Sequence, residues 1–228
     1  MQNILVIFKK QLRDTFKNMT ILIQFVLFPV FTLVLESFIE IDDMPEHFFV
    51  KLFAVMFIGM APLTATAAII AEEKEKNTLR VLMNANIRPW QYLIGVGLYV
   101  WMLCMFGAGV MSTLLPSSER LFFLTVMGAG IALSIVAGAC IGIASKNQMM
   151  ATSLQMPLML VFSFAPMLAM FNDIIKKGAF IFYTQQIKTA FDQMSWSAFD
   201  AKNVIVLCAN ALLFVVLFAV LYHKKGLE

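Results

Sequence analysis

Three long stretches without a charged residue decide what this chain can fold into. They run between Pro89 and Ser118, between Leu121 and Ser145, and between Asn147 and Asn172. Each is longer than the roughly 20 apolar residues that a membrane helix needs. The chain as a whole is 61% hydrophobic and 14% charged, whereas a soluble domain carries about 45–50% apolar and about 25% charged residues. The sequence therefore predicts a protein that resides in a lipid bilayer.

The apolar stretches are predicted to be helices. They are too long for barrel strands, and their polarity does not alternate as it would in a barrel. Six stretches meet the length criterion, and they cover approximately residues 19–38, 49–71, 89–115, 121–144, 149–171 and 203–222. The predicted fold class is an all-α membrane protein, with residues 1–18 as an amphipathic surface helix and residues 19–228 as one six-span transmembrane domain.

Lysine and arginine predict the orientation, because cytoplasmic segments carry them in excess. With six spans, the N-terminus, the second and fourth connections and the tail share one side. That side holds 11 of the 17 basic residues, namely Lys9, Lys10, Arg13, Lys17, Lys74, Lys76, Arg80, Arg88, Lys146, Lys224 and Lys225. Both termini are therefore predicted to be cytoplasmic. The segment 172–202 is predicted to be extracellular, although its four lysines oppose the rule.

The N-terminal segment shows the pattern of an amphipathic helix. Its apolar residues recur at helical spacing, and its charged residues fall mostly on the other face. The apolar set is Leu5, Phe8, Leu12, Phe16 and Met19. Such a helix is predicted to lie flat among the headgroups and to contact anionic lipid. The alternative is that the segment only supplies the positive charge that orients the protein.

Charge is concentrated in one connection, between the second and third predicted spans. Residues 71–90, AEEKEKNTLRVLMNANIRPW, hold seven charged side chains. Good helix formers and opposite charges three residues apart predict a cytoplasmic helix over residues 72–84. Leu79, Leu82 and Met83 give it an apolar edge, and Pro89 suits the first turn of the next helix. The segment is either a solvated hairpin loop or a helix that a groove on a partner protein would accept.

The same segment resembles a motif of type-two ABC exporter permeases. In that family, Glu-x-Glu-x-Gly-Thr-Leu-x-x-Leu follows the second span, and a proline-containing turn and Leu-x-Gly come next. This sequence, EKEKNTLRVLMNANIRPWQYLIG, matches at Glu73, Glu75, Thr78, Leu79, Leu82, Leu93 and Gly95. It departs at Asn77, where the family usually has Gly, and at Asn86, near the family's Pro. The amphipathic N-terminal helix, the six spans and the long fifth connection are similar too.

The resemblance implies a mechanical role for this segment. It would be a coupling helix that docks on a separate ATPase, with Glu72, Glu73, Lys74, Glu75, Asn77, Thr78, Leu79 and Leu82 as its contact residues. The chain has no Gly-x-x-x-x-Gly-Lys-Ser/Thr loop, so it is not expected to be an enzyme. ATP and Mg would bind to two copies of the ATPase, and a second copy of this chain or a sister permease would complete the transporter.

The second and fifth spans line the transport pathway in the family that this chain resembles. The residues expected to line it here are Met56, Met60, Thr64, Thr66, Met156, Met159, Phe162 and Ser163. Methionine-rich surfaces adapt to varied ligands, so the expected cargo is hydrophobic or amphipathic: a drug, an antimicrobial or amphipathic peptide, or a lipid-like molecule. The resemblance also implies outward transport by alternating access, in the cytoplasmic (plasma) membrane of a bacterium. The alternative is that these residues face lipid or fill the core.

Small residues form a stripe on the fourth span, at Gly130, Ser134, Gly138 and Gly142. Small residues let helices approach closely in lipid, either within this chain or between two copies. In the fifth connection, Ile187, Phe191 and Met194 could form one face of a short helix. That helix is expected either to cap the exit of the pathway or to rest on lipid, and the family that the chain resembles often has an external or re-entrant helix pair in this connection.

Several functions are disfavoured by what the sequence lacks. No predicted span holds an Asp, Glu, Lys, Arg or His residue away from its ends, and Glu36 lies near the outer end of the first span, where it can reach the headgroups. A proton or sodium relay is therefore not expected. His47 and His223 lie on opposite sides of the membrane, and no metal, catalytic or nucleic-acid site is predicted. Two other functions remain open: a non-transporting scaffold or sensor that binds a partner through residues 72–84, and an intramembrane enzyme.

Overall fold

The computed structural model describes residues 2–15, 19–39 and 44–225. All regular structure in these residues is helical. The helices are α1 Gln2–Thr15, α2 Met19–Phe38, α3 Phe48–Glu75, α4 Thr78–Asn84, α5 Pro89–Ser112, α6 Ser117–Ala144, α7 Gln148–Leu168, α8 Asp173–Ala179, α9 Tyr183–Gln193 and α10 Ala201–Lys225, with a short 3-10 turn at Trp196–Ala198. Phe16 of the predicted surface helix and the acidic residues Glu40, Asp42 and Asp43 lie outside the described residues.

Five of these helices are long and apolar enough to cross a membrane: α3, α5, α6, α7 and α10. They correspond to the second to sixth predicted spans. The first predicted span coincides with α2, Met19–Phe38. The fold is that of an all-helical, multi-pass membrane protein.

The centre of the bundle is α3, which packs on α2, α5, α6, α7 and α9. Of the 18 consecutive residues of α3 with the highest hydropathy, 83% are buried. The small-residue stripe of α6 makes this possible. A Cβ atom added at Gly142 would stand 2.7 Å from Cβ of Ile70, and one at Gly138 would collide with the carbonyl oxygen of Leu63. The stripe thus faces α3 of the same chain.

A buried hydroxyl pair joins α3, α6 and α9 in the interior. Oγ of Ser134 lies 2.6 Å from the carbonyl oxygen of Ile58 and 2.7 Å from the hydroxyl of Tyr183. Ser134 can donate to the carbonyl while it accepts from the tyrosine. The first residues of α9 are therefore buried among the spans, in the manner of a re-entrant helix that protein shields from lipid. Ile187 and Phe191 of the predicted helix face are also buried, so this face packs within the chain and does not rest on lipid.

The helix α1 packs on α5 through Phe8 of the predicted apolar set, whose ring lies 5.7 Å from that of Tyr99, and through residues outside that set. Ile7 and Gln11 are buried, and a Cβ at Gly95 would stand 2.8 Å from Cγ2 of Ile7. Gly95 is one of the residues of the family motif, and its place beneath α1 gives a physical reason for glycine there. Leu5 and Leu12, from the predicted apolar face, are exposed, which leaves them free to contact lipid.

Glu36 ties the end of α2 to the start of α3. Its Oε2 accepts hydrogen bonds from the backbone N–H groups of Phe49 at 3.1 Å and Val50 at 3.3 Å. Oε1 lies 3.3 Å from Nδ1 of His47. A carboxylate at this place satisfies N–H groups that have no partner within α3. Glu36 thus has a structural role beyond reaching the headgroups.

Candidate functional site

The charged run at residues 72–76 forms one end of the central helix, and we call it the charged junction. The prediction of one separate helix over 72–84 is wrong, because α3 continues without interruption to Glu75. The chain then turns at Asn77, whose φ of 55° is left-handed, and α4 begins at Thr78. Asparagine adopts this conformation more readily than most residues, which explains why it can stand where the family has glycine.

Three charged residues of the junction bond to three different elements. Oε1 of Glu73 accepts hydrogen bonds from Nζ of Lys10, at 2.6 Å, and from Nε2 of Gln11, both on α1. Nζ of Lys74 donates to the carbonyl oxygen of Ile143, near the end of α6, at 3.0 Å. Oε2 of Glu75 accepts from the backbone N–H of Gln148, at the start of α7, at 2.8 Å. The junction thus connects the end of α3 to α1, α6 and α7.

Glu73 and Glu72 differ in burial and therefore in the contacts that they can make. Glu73 is only 5% exposed, so it is not available to a docking partner as predicted, and it holds α1 in place instead. Removing one partner of a buried ion pair is costly because the other charge stays buried and unpaired. Glu72, by contrast, pairs at the surface with Lys76 at 2.5 Å. The hydrogen bond to the Glu72 carboxylate raises the pKa of the Lys76 ammonium.

The short helix α4 also presents a different face from the one predicted. Leu79 is buried, and Leu82 and Met83 pack against the core. The exposed side holds Arg80 and Val81, and Val81 is 65% exposed. The predicted apolar edge therefore attaches α4 to its own chain. The spacing of Leu79, Leu82 and Met83 already placed Arg80 and Val81 on other faces of the helix, and this was the signal that could have identified them.

The turn that follows α4 is built by local hydrogen bonding. Asn86 has a φ of 63°, again in the left-handed region, and it ends the short helical segment near the position of the family's Pro. Pro89 begins α5 as predicted, and the side-chain oxygen of Gln91 accepts from the backbone N–H of Arg88 at 3.0 Å. The start of α5 is therefore capped by a hydrogen bond within its own first turn.

The eight predicted pathway residues are distributed over several surroundings. Oγ1 of Thr64 lies 2.7 Å from Oε1 of Gln24 on α2, and Oγ of Ser163 donates to the carbonyl oxygen of Met56 at 3.2 Å. The rings of Phe162 and Tyr183 are in edge contact with centroids 5.1 Å apart. Thr66 lies beside a cavity of about 300 Å³. Met60 and Met159 are half-buried, and Met156 is exposed. Most of the set therefore joins α3 to its neighbours.

One of the predicted pathway residues, Met156, lies on the exposed surface of α7. Only 22% of its most apolar window is buried. Besides Met156, the exposed residues include Met149 and Phe164 and the polar residues Thr152 and Ser153. Polar side chains are unfavourable toward lipid tails, so this mixed surface suits contact with protein or with an amphipathic molecule.

A cavity of about 350 Å³ lies between α3, α7 and α9, and we call it the α3–α7–α9 cavity. Met56 and Ser163, two of the predicted pathway residues, line it together with charged residues of α3 and α9. Sequence reasoning missed this combination, because Lys51 and Lys188 are far apart in the chain. Among the described residues, no group of three or more His, Cys, Asp or Glu side chains could hold a metal ion.

Comparison with known proteins adds no family to these observations. No protein-family model matches the chain, and a search of curated proteins gives no match either.

Proposed function

We propose that this protein is the membrane-spanning permease subunit of an ATP-driven ABC exporter in the cytoplasmic membrane of a bacterium. In this proposal α2 is the first of six spans, both termini are cytoplasmic, and the charged junction and α4 face the cytoplasm. The protein moves hydrophobic or amphipathic cargo outward by alternating access. The proposal rests on the motif in residues 73–95 together with the contacts that its residues make.

The observation that carries the proposal is the mechanical continuity between α4 and the central helix. Only Lys76 and Asn77 separate α4 from α3. The charged junction bonds α3 to α1, α6 and α7, so a force on α4 would reach several helices through these bonds. Such an arrangement suits a coupling segment, because packed helices move as bodies and shift between discrete arrangements.

The energy source would lie on a partner. The sequence has no phosphate-binding loop of the Gly-x-x-x-x-Gly-Lys-Ser/Thr type, so ATP and Mg are assigned to two copies of a separate ATPase. The exposed surface of α4, at Arg80 and Val81, is the proposed contact with that ATPase. This assignment replaces Glu73, Leu79 and Leu82 of the sequence-based set, since these three are buried or partly buried.

A second permease, either another copy of this chain or a sister chain, would complete the pathway. We assign the contact to the exposed surface of α7, where methionine, threonine and serine side chains are mixed. A two-fold arrangement would bring two such surfaces together. The pathway would then lie between the two chains, with Met156 at its wall.

The test is a substitution on the exposed side of α4. Val81→Asp adds a charge at a solvated position, so the chain is expected to fold normally. It should nevertheless lose co-purification with the ATPase from a neighbouring reading frame and lose cargo-stimulated ATP hydrolysis in proteoliposomes. Lys146→Glu, an exposed change between α6 and α7, is the matched control and should retain both activities.

Two results would contradict the proposal. One is full ATP-dependent export by the Val81→Asp variant. The other is crosslinking from position 81 in living cells that captures no ATPase. Capture of a different cytoplasmic protein, without ATP-dependent transport, would support the scaffold or sensor alternative.

A further inference from the structure

The α3–α7–α9 cavity combines an apolar wall with charged side chains. Its apolar surface comes from residues such as Leu52 and Met56 of α3 and Pro166 and Met167 of α7. Its charged residues are Lys51, at the start of α3, and Lys188 and Asp192 of α9. The volume of about 350 Å³ falls within the range of small-molecule sites, which is about 300–1,000 Å³. The cavity is too small for a folded partner.

The charges of the cavity are unequal. Lys188 is 13% exposed at its side chain and pairs at 2.5 Å with Asp192, the acidic residue among the described residues of the lining. Lys51 forms no ion pair with any of the residues 2–15, 19–39 and 44–225. The described lining therefore carries one net positive charge. A partly enclosed ammonium group attracts an anion more strongly than one in open water, because the effective dielectric constant is lower.

We propose that the α3–α7–α9 cavity binds an anionic single-chain amphiphile of the fatty-acid class. Its carboxylate binds Lys51 and the shared ammonium of Lys188, and its chain lies on Met56, Pro166 and Met167. Charge-assisted hydrogen bonds hold the head, and the flexible methionines adapt to the chain. A cationic amphiphile would face two ammonium groups, while the carboxylate of Asp192 is already paired with Lys188.

The location of the cavity connects the ligand to the proposed function. Ser163 and Met56, which bond to each other across α3 and α7, lie in its wall. As an assignment of cargo, the inference rests on the proposed function, in which the protein moves hydrophobic or amphipathic molecules. As an assignment of a binding site, it stands by itself and needs neither an ATPase nor transport.

The binding test uses the purified chain in phosphatidylcholine nanodiscs without any ATPase. The probe is cis-parinaric acid, whose fluorescence rises on binding. Its methyl ester and a trimethylammonium analogue of the same chain serve as neutral and cationic comparisons. We expect the acid to bind about tenfold tighter than the ester, the ratio that one hydrogen bond to a charged group supplies.

Variants locate the head of the ligand. Lys51→Met should weaken binding of the acid by about tenfold and leave binding of the ester unchanged, and the unchanged ester affinity shows that the cavity is intact. The double change Lys188→Met with Asp192→Asn removes the ion pair without leaving a lone charge, and it should weaken the acid by a smaller factor. Lys177→Met, an exposed change on α8, is the control and should have no effect.

The proposal is overturned if acid and ester bind equally, if the cationic analogue binds most tightly, or if Lys51→Met leaves the affinity of the acid unchanged. These results are independent of the docking test at Val81. Acid-selective binding without any ATPase association would refute the exporter and retain the site. ATPase association without acid-selective binding would refute the fatty-acid site and retain the exporter.

Discussion

Two helices, α7 and α10, expose most of their surface, yet their compositions differ. In α10 only 11% of the most apolar window is buried, and its mean hydropathy is 3.0. In α7 the buried share is 22%, but the mean hydropathy is only 1.4. The central helix α3, which is 83% buried, has a value of 2.0. In these three helices, the exposed share of the residues is therefore not determined by the mean hydropathy of the helix alone.

The difference in composition between the exposed faces of α7 and α10 indicates what each face contacts. Lipid tails are as apolar as leucine, so the leucine- and valine-rich face of α10 suits the bilayer. The face of α7 carries Thr152 and Ser153 among its methionines, and it suits a protein surface or a pathway. The attachment differs too, since α7 packs closely on α3, whereas α10 packs mainly on α6 and α9.

The largest expected effect comes from placing a charge on each exposed face. Leu213 of α10 is 60% exposed and Met156 of α7 is 55% exposed, and both lie near the middle of their helices. Leu213→Arg should cost about 3 kcal/mol, the translocon-scale value for a charged residue at the centre of a membrane helix. Met156→Arg should cost much less. Thermal melting in nanodiscs measures both, and equal losses would remove the distinction between the two surfaces.

A somewhat smaller effect is expected where α7 attaches to α3. A Cβ at Gly59 would stand 2.7 Å from the backbone carbonyl carbon of Phe162. Gly59→Ala should therefore destabilise the fold by about 2 kcal/mol, as overpacking does. Gly109→Ala makes the same change at a position with no atom within 4 Å and should be nearly neutral. Chemical denaturation in mild detergent compares the two, and similar midpoints would mean that α7 is not held at Gly59.

A still smaller effect is expected from the hydrogen bond between α7 and α3. Ser163→Ala removes the bond to Met56 and should cost about 0.6 kcal/mol, the average for interhelical bonds in membranes. Ser153→Ala is the matched change on the exposed face, where the hydroxyl bonds only to the carbonyl of Met149 in its own helix. It should leave stability unchanged. A larger loss at Ser153 would indicate a contact that the isolated chain lacks.

The last prediction concerns contact and not stability. Met156→Cys should form a disulfide-linked dimer under mild oxidation in membranes if the α7 surfaces of two copies meet. The native Cys208 of α10 is exposed and provides the internal comparison, since a lipid-facing cysteine should stay monomeric. Gel electrophoresis without reductant, in single-cysteine backgrounds, distinguishes the two positions. Dimers through Cys208 alone would reverse the assignment of the two faces.

The positions of the long helices were predictable because membrane helices leave a simple signal. Uninterrupted apolar length is required by the thickness of the bilayer, so five of the six predicted spans agree with helices long enough to cross it. The start of α5 at Pro89 was predictable for a local reason, the fixed φ of proline. The buried face of each long helix was harder to predict, because a membrane helix is apolar on every side.

The candidate site was only partly predictable. The charges of residues 72–76 were visible, but not that Glu73 would be buried against Lys10, a residue far away in sequence. The break at Asn77 depends on one left-handed residue, which asparagine permits and does not require. The burial of α9 depends on the hydrogen bond between Tyr183 and Ser134. No residue spacing in the sequence indicates that contact.

The sequence by itself determined that this chain is a helical membrane protein, where its long helices lie, and that its charge concentrates beside α4. These properties follow from the exclusion of water from the bilayer, which acts on each segment separately. Only the tertiary structure decided which charges are buried, which face of α4 is exposed, and that Lys51 and Lys188 share one cavity. Such properties depend on pairs of residues distant in sequence, and their energies arise only once the helices pack.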